Sequence, residues 1–550
     1  IADSVINNPD NYPVNTKFSL EYKLQVTHAD GSSTTYTETN IASYFRKKKK
    51  KSNYTTIYSS KKEMKAAVKT FKKAVLKKTD TKKAETIHYS LEPQLSYSLI
   101  DQKTGKVKVL VGGRGKKQDD LALNRATSVK RQPGSTFKIL STYAPGIDTG
   151  SMTLATVFDD APYRYENGQK VTNYVSTSYK GLTTIRDAII DSNNIVAVKA
   201  ITDLTPQVGF DFLQKLGFTT LVNNRVNTNG AYESDVNQSL SLGGITDGVT
   251  NVELTAAYAA IANQGTYNQP ILYTTVKDSN GNVLLSNKKK SQKVMKKTTA
   301  WLLTNAMEDV VKKGTGEAAQ LDSDMAVAGK TGTTSKNYDY WFCGYTPYYT
   351  ASVWTGYDYN TSFDNDENYH KVIWKKIMDR IIKQKKQKVK DFPSCKNIKK
   401  AEICIKSGKK ALPDICSKDP EKSMVRTEYF APGTVPKDSC DAHVAVTFCS
   451  KSHLVAQKFC PEKFRYTKIF RVRPKHSSGQ TDDEPYFLNI DVNKNKCNIH
   501  TEAWKQKQLE KKKKKEQEKL KKQQEQKNDA TTENPTIDDI EKQVKKLLNQ

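Results

Sequence analysis

The sequence predicts an α+β protein: one large mixed domain, a small module before it and a Cys-containing appendage after it. Three observations carry this prediction. Strand-like and helix-like segments intermingle over residues 91–390, which reads as one domain. Residues 1–90 hold an alternating run and an amphipathic run of their own. Over residues 391–500 the composition shifts to Cys, Gly, Pro and short β-like runs, and residues 501–550 are Lys, Gln and Glu with few apolar anchors.

In the opening module, Phe18 to Val26 alternates like a strand before an Asp30-Gly31 turn. Met64, Val68, Phe71 and Val75 recur at helical spacing along Lys61 to Leu76. In the large domain, Leu95 to Val111 reads as a hairpin around Lys103-Thr104-Gly105. Pro133 and Gly134 break the chain before Ser135 to Tyr143, a helix that buries Phe137, Ile139 and Leu140. Leu182 to Ala200, Leu254 to Asn263, Thr298 to Val311 and Trp374 to Ile382 also read as helices. Met325 to Thr333 and Tyr349 to Tyr357 read as strands. The basic tail is expected to be disordered or a frayed surface helix.

Lys and Arg number 89 against 59 Asp and Glu, a net charge of +30. Such an excess favours an anionic neighbour such as nucleic acid, acidic lipid or a wall polymer; alternatively it simply coats exposed faces. Much of it sits in Lys47 to Lys51 and Lys511 to Lys515. No apolar run is long enough to span a bilayer and no signal peptide opens the chain, which begins at Ile1; a fragment of a longer precursor is expected.

The chemistry-bearing stretch is Arg131-Gln132-Pro133-Gly134-Ser135-Thr136-Phe137-Lys138. Ser135 falls on the first turn of a helix and Lys138 three residues on, so both side chains share a face. A lysine amine can strip a serine hydroxyl only if burial or nearby positive charge pulls its pKa down. The helix N-terminus favours a developing oxyanion. The spacing alone is weak, since Ser59/Lys62, Ser286/Lys289 and Ser407/Lys410 repeat it in polar, loop-like contexts. Two later groups raise its weight. In Ser192-Asn193-Asn194, Ser192 is placed to relay a proton and Asn194 to bond a peptide amide, although such a triplet also caps helices. In Lys330-Thr331-Gly332-Thr333, an ammonium and hydroxyls can hold a carboxylate, and Gly332 lets another backbone approach. A phosphate loop is excluded: Asp324 stands where its first glycine is needed, and Lys117 follows Gly115-Lys116 in place of Ser or Thr. The seven histidines offer no nucleophile-elbow context for a Ser-His-Asp site.

Ser-x-x-Lys, Ser-Asp-Asn and Lys-Thr-Gly occur together in β-lactamases and penicillin-binding proteins. Here they stand in that order at Ser135, Ser192 and Lys330, with Asn193 in place of the middle Asp. Flanking runs strengthen the match: Val111-Gly112-Gly113-Arg114, Leu242-Gly243-Gly244, Ala262-Asn263-Gln264-Gly265, Trp341-Phe342-Cys343-Gly344 and Trp354-Thr355-Gly356. Residues 91–390 resemble the transpeptidase portion of class A, bifunctional penicillin-binding proteins, without their glycosyltransferase domain. The resemblance implies a penicillin-binding transpeptidase or β-lactamase-like fold, an antiparallel sheet flanked by helices. It implies a D,D-transpeptidase acting on peptidoglycan stem peptides and acylated by β-lactams. Ser135 would be the nucleophile and Lys138 its base; Ser192 and Lys330 would pass a proton to the leaving amine, with Asn194 beside them. Thr331 and Thr333, with Gly332 between, would bind the terminal carboxylate, and the backbone N–H groups of Ser135 and Thr333 would form the oxyanion hole. No cofactor is expected. Stem peptides, β-lactams and anionic wall polymers are the expected partners, without nucleic acid. A membrane anchor is expected on a missing N-terminal part, and a place on the outer face of the cytoplasmic membrane. The chain is expected to lack polymerase activity. A D,D-carboxypeptidase, a non-catalytic sensor and a basic wall-binding scaffold are the alternatives.

Seven of the eight cysteines crowd residues 395–497. This region partly resembles appendages of some clostridial members of the family. Disulfides across Cys404/Cys416 and Cys449/Cys460 are one expectation; zinc held by Cys404, Cys416, Cys440 and His443 is another; unpaired thiols are the third.

Overall fold

The computed structural model describes all residues except 13–14, 118–119, 176, 364–367, 474–479, 529–536 and 548–550. The described residues fall into two compact bodies. The first draws on Ile1–Cys416, Met424–Asp441 and Pro474–Pro485, the second on Ser417–Ser423, Ala442–Arg473 and Tyr486–Gln550.

The first body is organised on a five-stranded antiparallel sheet. Its order is Ala328–Thr333, Asp339–Tyr345, Thr350–Gly356, Gln94–Ile100 and Val107–Val111. The central strands are buried along their whole length, so both faces carry large side chains. The period of two sorts them. Tyr340, Phe342, Val353 and Tyr97 pack with Ile373, Trp374 and Ile377 of helix Tyr369–Gln384. Trp341, Cys343, Tyr345 and Trp354 face the other way, into a core with helices Asn251–Ala262 and Lys297–Lys313. That second core also takes in Phe137, Ile139 and Leu140. An antiparallel sheet with helices on both faces is thus formed, as the sequence predicts.

The expected helix from Ser135 is continuous but unusually wound. Gly134–Thr136 is a 3-10 turn, Lys138–Tyr143 is π-helical and Ala144–Thr149 is α-helical. Pro145 has no N–H to give the Ser141 carbonyl four residues back, which helps explain why the turn before it widens. The stretch Leu182 to Ala200, read as helical, opens instead on a strand, Gly181–Thr184, and its helical part is two helices, Ile185–Ile190 and Asn194–Leu204, with Ser192 and Asn193 between them. The break falls at Ser192, whose φ is +56°. The edge strand begins at Ala328, not Met325.

The opening module has its own core. Strand Lys17–Thr27 pairs with Ser33–Thr37, Ile57–Tyr58 and Thr81–Glu92. Its Leu20, Tyr22 and Leu24 pack with Met64, Val68 and Phe71 of helix Lys61–Val75. At the other end, hairpin Lys399–Cys404/Val425–Phe430 is tied to the main domain by a buried ion pair. Arg186 donates to Glu428 from Nε at 2.8 Å and Nη2 at 2.7 Å, and to Asp309 at 2.9 Å.

The second body holds hairpin His443–Cys449/Arg465–Arg471. Inside it, Asp419 accepts from His443 Nε2 at 2.8 Å and from Arg471 Nε at 2.8 Å. Among the described residues of the Lys-rich tail, Glu502–Asn528 and Ile537–Leu547 are helical. None of the eight cysteines, all of them among the described residues, is in a disulfide. The expected pairs Cys404/Cys416 and Cys449/Cys460 are therefore not joined, and in each case a third thiol lies beside the pair. Cys404, Cys416 and Cys440 bring their sulfurs within 4.8 Å of one another.

Candidate active site

Three elements of the first body meet at Ser192. Ser135 lies in the 3-10 turn Gly134–Thr136, half-buried, one turn ahead of the fully buried Lys138. Lys138 Nζ donates to the Ser192 carbonyl, lies 3.2 Å from Ser192 Oγ and donates to Asn194 Oδ1 at 2.5 Å. Lys330, on the edge strand and also fully buried, donates from Nζ to Ser192 Oγ at 2.7 Å and to the Thr331 carbonyl at 3.1 Å. One hydroxyl thus bridges two buried amines.

Local sequence explains each placement. Asn193 caps the second of the two helices, its side chain accepting from Val196 N–H at 2.9 Å. That cap starts the helix at Asn194 and leaves Ser192 alone in the left-handed region, where a serine is strained. The strained turn aims both the Ser192 carbonyl and its hydroxyl at Lys138. Asn194 is held by Asn173, which accepts from its N–H at 3.0 Å, and by the Thr172 carbonyl, which accepts from Nδ2 at 2.6 Å. Gly332 allows the edge strand to lie against the turn that carries Ser135: a Cβ there would sit 2.6 Å from the Pro133 carbonyl oxygen and 2.8 Å from Thr136 Cγ2. At Gly134, with φ +55°, a Cβ would meet the Thr333 carbonyl oxygen at 2.6 Å. Lys330, Thr331, Gly332 and Thr333 therefore border the turn that carries Ser135.

The electrostatics follow from burial. Desolvation first, then the charge of Lys330, hold the Lys138 amine well below the ordinary lysine range. Desolvation first, then the charge of Lys371, lower Lys330 to about 7, against a weaker opposing pull from Cys343. A neutral Lys138 amine has two N–H donors and one lone pair. Its two shortest contacts, to the Ser192 carbonyl and to Asn194 Oδ1, use both donors. The lone pair then remains for a hydroxyl. The arrangement can take a proton from a serine and exchange it through Ser192 with Lys330.

All eight residues expected from the sequence lie on these three elements. Residues that the sequence reading overlooked hold them there. Asp339 accepts from Arg131 Nε at 2.6 Å, Trp354 Nε1 at 2.8 Å and Thr334 Oγ1 at 2.9 Å, locking the segment before Ser135 to the sheet. Trp341 Nε1 donates to the Gln132 carbonyl at 2.9 Å. Thr315 Oγ1 lies 2.9 Å from Thr331 Oγ1, and the Thr315 carbonyl accepts from Lys371 Nζ at 2.9 Å. Arg131 and Trp341 lie in runs already singled out; Asp339 and Thr315 carry no signal of their own.

Sheet, flanking helices and the trio of polar clusters define a fold of the penicillin-binding transpeptidase class. Residues 95–383 match the penicillin binding protein transpeptidase domain, and residues 394–445 match the C-terminal domain of penicillin-binding protein 1A. The first match covers more than half of the chain, which belongs to the penicillin-binding protein transpeptidase family. It is 34% identical over 374 residues to penicillin-binding protein 1A of Clostridium tetani, covering 65% of this chain and 45% of that one. It is 33% identical over 428 residues to penicillin-binding protein 1A of Clostridium novyi, covering 75% and 48%. Among solved structures, penicillin-binding protein 1A from Haemophilus influenzae superposes with a TM-score of 0.53 at 19% identity, covering 80% of this chain and 66% of that one. The chain spans about half the length of the curated relatives it matches. Among the described residues, no helix is long and apolar enough to cross a membrane.

Proposed function

We propose that the chain is a serine D,D-transpeptidase that crosslinks peptidoglycan stem peptides and is acylated by β-lactams. Ser135 Oγ attacks the carbonyl of the penultimate D-alanine while Lys138 takes its proton. The new ester forms as the peptide bond breaks. The proton reaches the leaving D-alanine amine through Ser192 and Lys330. The amine of a neighbouring stem then attacks the ester and restores the serine. The backbone N–H groups of Ser135 and Thr333 stabilise the oxyanion. Lys330, Thr331 and Thr333 hold the terminal carboxylate, Gly332 admits the substrate backbone beside the edge strand, and Asn194 orients the amine of Lys138. The domain at 91–390 does this work outside the cytoplasmic membrane, between the module at 1–90 and the regions at 391–500 and 501–550. Anionic wall polymer is the partner for the basic faces.

The observation that carries this reading is the pair of fully buried lysines sharing the Ser192 hydroxyl. Burying two amines side by side is costly unless at least one is neutral, and a neutral amine is the base a serine needs. Release of D-alanine from a stem-peptide mimic tests it. The chain should release D-alanine and, given an acceptor amine, form the crosslinked product, and Ser135→Ala should do neither. Hydrolysis without transfer would favour a carboxypeptidase, and acylation without release a sensor.

A further inference from the structure

The second body carries a cluster that acyl transfer does not use. Cys449 ends strand His443–Cys449, Cys460 lies just before strand Arg465–Arg471, and Cys497 and His500 come from a later segment. Their side chains are 0%, 3%, 0% and 2% exposed. Their ligand atoms lie within 4.8 Å of one another. His500 Nδ1 is 3.2 Å from Cys449 Sγ and 3.6 Å from Cys497 Sγ. Ordinary Zn–S and Zn–N distances in a tetrahedron set sulfur–sulfur edges of about 3.8 Å and sulfur–nitrogen edges of about 3.6 Å. We propose that Cys449, Cys460, Cys497 and His500 Nδ1 hold one zinc ion in a closed tetrahedral site.

Backbone N–H groups are aimed at two of the sulfurs. Gln457 N–H donates to Cys460 Sγ at 3.3 Å, and His500 N–H to Cys497 Sγ at 3.4 Å. Phe464 stacks on the His500 ring at 5.6 Å and Trp504 meets it edge-on at 4.6 Å, which fixes the ring with Nδ1 inward. A disulfide between Cys449 and Cys460 would leave a thiol and an imidazole buried beside it; one metal ion engages all four.

The chain builds this thiol arrangement twice, which is an independent reason for the assignment. In the first body Cys404 ends a strand and accepts Cys416 and Cys440 as neighbours. The backbone bonds correspond one for one. Cys404 N–H donates to the Lys409 carbonyl at 2.9 Å, as Cys449 N–H does to Leu454 at 2.8 Å. Cys440 N–H donates to the Lys410 carbonyl at 2.8 Å, as Cys497 N–H does to Val455 at 2.8 Å. Leu412 N–H reaches Cys416 Sγ at 3.3 Å, matching Gln457 and Cys460. In sequence each third cysteine is followed by x-x-His, at His443 and at His500. Paired turns with N–H···S bonds and a Cys-x-x-His close are what a metal-held loop requires, in a segment with few apolar residues to form a core. Binding releases three thiol protons and leaves no open position, so the ion is structural.

The test counts metal in the whole 550-residue chain, purified without chelator. Cys497→Ser should lower bound zinc by one equivalent per chain relative to wild type, and Cys395→Ser, outside both clusters, should leave it unchanged. His500→Cys should retain the ion. After exchange for Co2+, its thiolate-to-metal absorption should exceed that of the wild type, because a fourth thiolate replaces the imidazole. Should Cys497→Ser not fold, the cobalt spectra decide alone, and no rise in His500→Cys overturns the assignment. Unchanged zinc in folded Cys497→Ser, or a Cys449–Cys460 disulfide in a non-reduced peptide map of the wild type, overturns it as well.

Discussion

Replacing Ser192 separates the two things it does. Its hydroxyl accepts from Lys330 at 2.7 Å and faces Lys138 at 3.2 Å, while its backbone sits at φ +56°. A hydrogen bond to a charged group contributes about 1.5–3 kcal/mol, so losing one in the acylation transition state slows acylation about 10- to 150-fold. Ser192→Ala and Ser192→Gly should share that loss. They should differ in stability. A non-glycine residue in the left-handed region costs roughly 1 kcal/mol, so Ser192→Gly should melt at or above Ser192→Ala. The assay is the second-order rate of acylation by a fluorescent penicillin, with calorimetric melting of the same samples. Acylation at the wild-type rate in the more stable Ser192→Gly would refute the relay, because the fold would be intact and the hydroxyl dispensable.

Lys330→Met removes a cation that helps hold the Lys138 amine down, so Lys138 should stay protonated to higher pH and the acid limb of acylation should move upward. Lys330→Arg keeps the charge at every pH and should leave the limb at or below its wild-type position; an unmoved limb in Lys330→Met would show that the two amines are not coupled. Glu428→Ala strips the buried Arg186 guanidinium of its two-point partner while Asp309 remains, which should cost about 3 kcal/mol in chemical denaturation. An unchanged midpoint would mean that the pair does not hold the 399–430 hairpin in place.

What the sequence made legible was whatever depends on near neighbours. Strand-like runs on either side of the Lys103-Thr104-Gly105 turn located the hairpin Gln94–Ile100/Val107–Val111, and a β-rich run located the strand Thr350–Gly356. Helical spacing located Lys61–Val75 and Lys297–Lys313 to within a residue or two. The polar run Ser192-Asn193-Asn194 between two apolar helical stretches marks the break there, but nothing in the residue type signals the positive φ of Ser192. The π-helical winding at Lys138–Tyr143 was equally hidden, being a local response to Pro145 and to packing. Within the site, Ser135, Lys138, Ser192 and Lys330 could be picked out by residue type and motif. Asp339 could not, because its role comes from accepting Arg131 and Trp354, partners far apart in the chain. For Cys449 and Cys460 the sequence leaves a disulfide or unpaired thiols for the same reason: Cys497 and His500 reach them only through the fold.

The nucleophile is the centre of the account, and mapping the acylated residue tests it most directly. Wild-type chain and Ser135→Ala are incubated with a fluorescent penicillin, denatured, digested and analysed by mass spectrometry. One adduct should appear in the wild type, on the peptide containing Ser135, and none in the variant. An adduct on any other residue, or one that persists in Ser135→Ala, would contradict the mechanism.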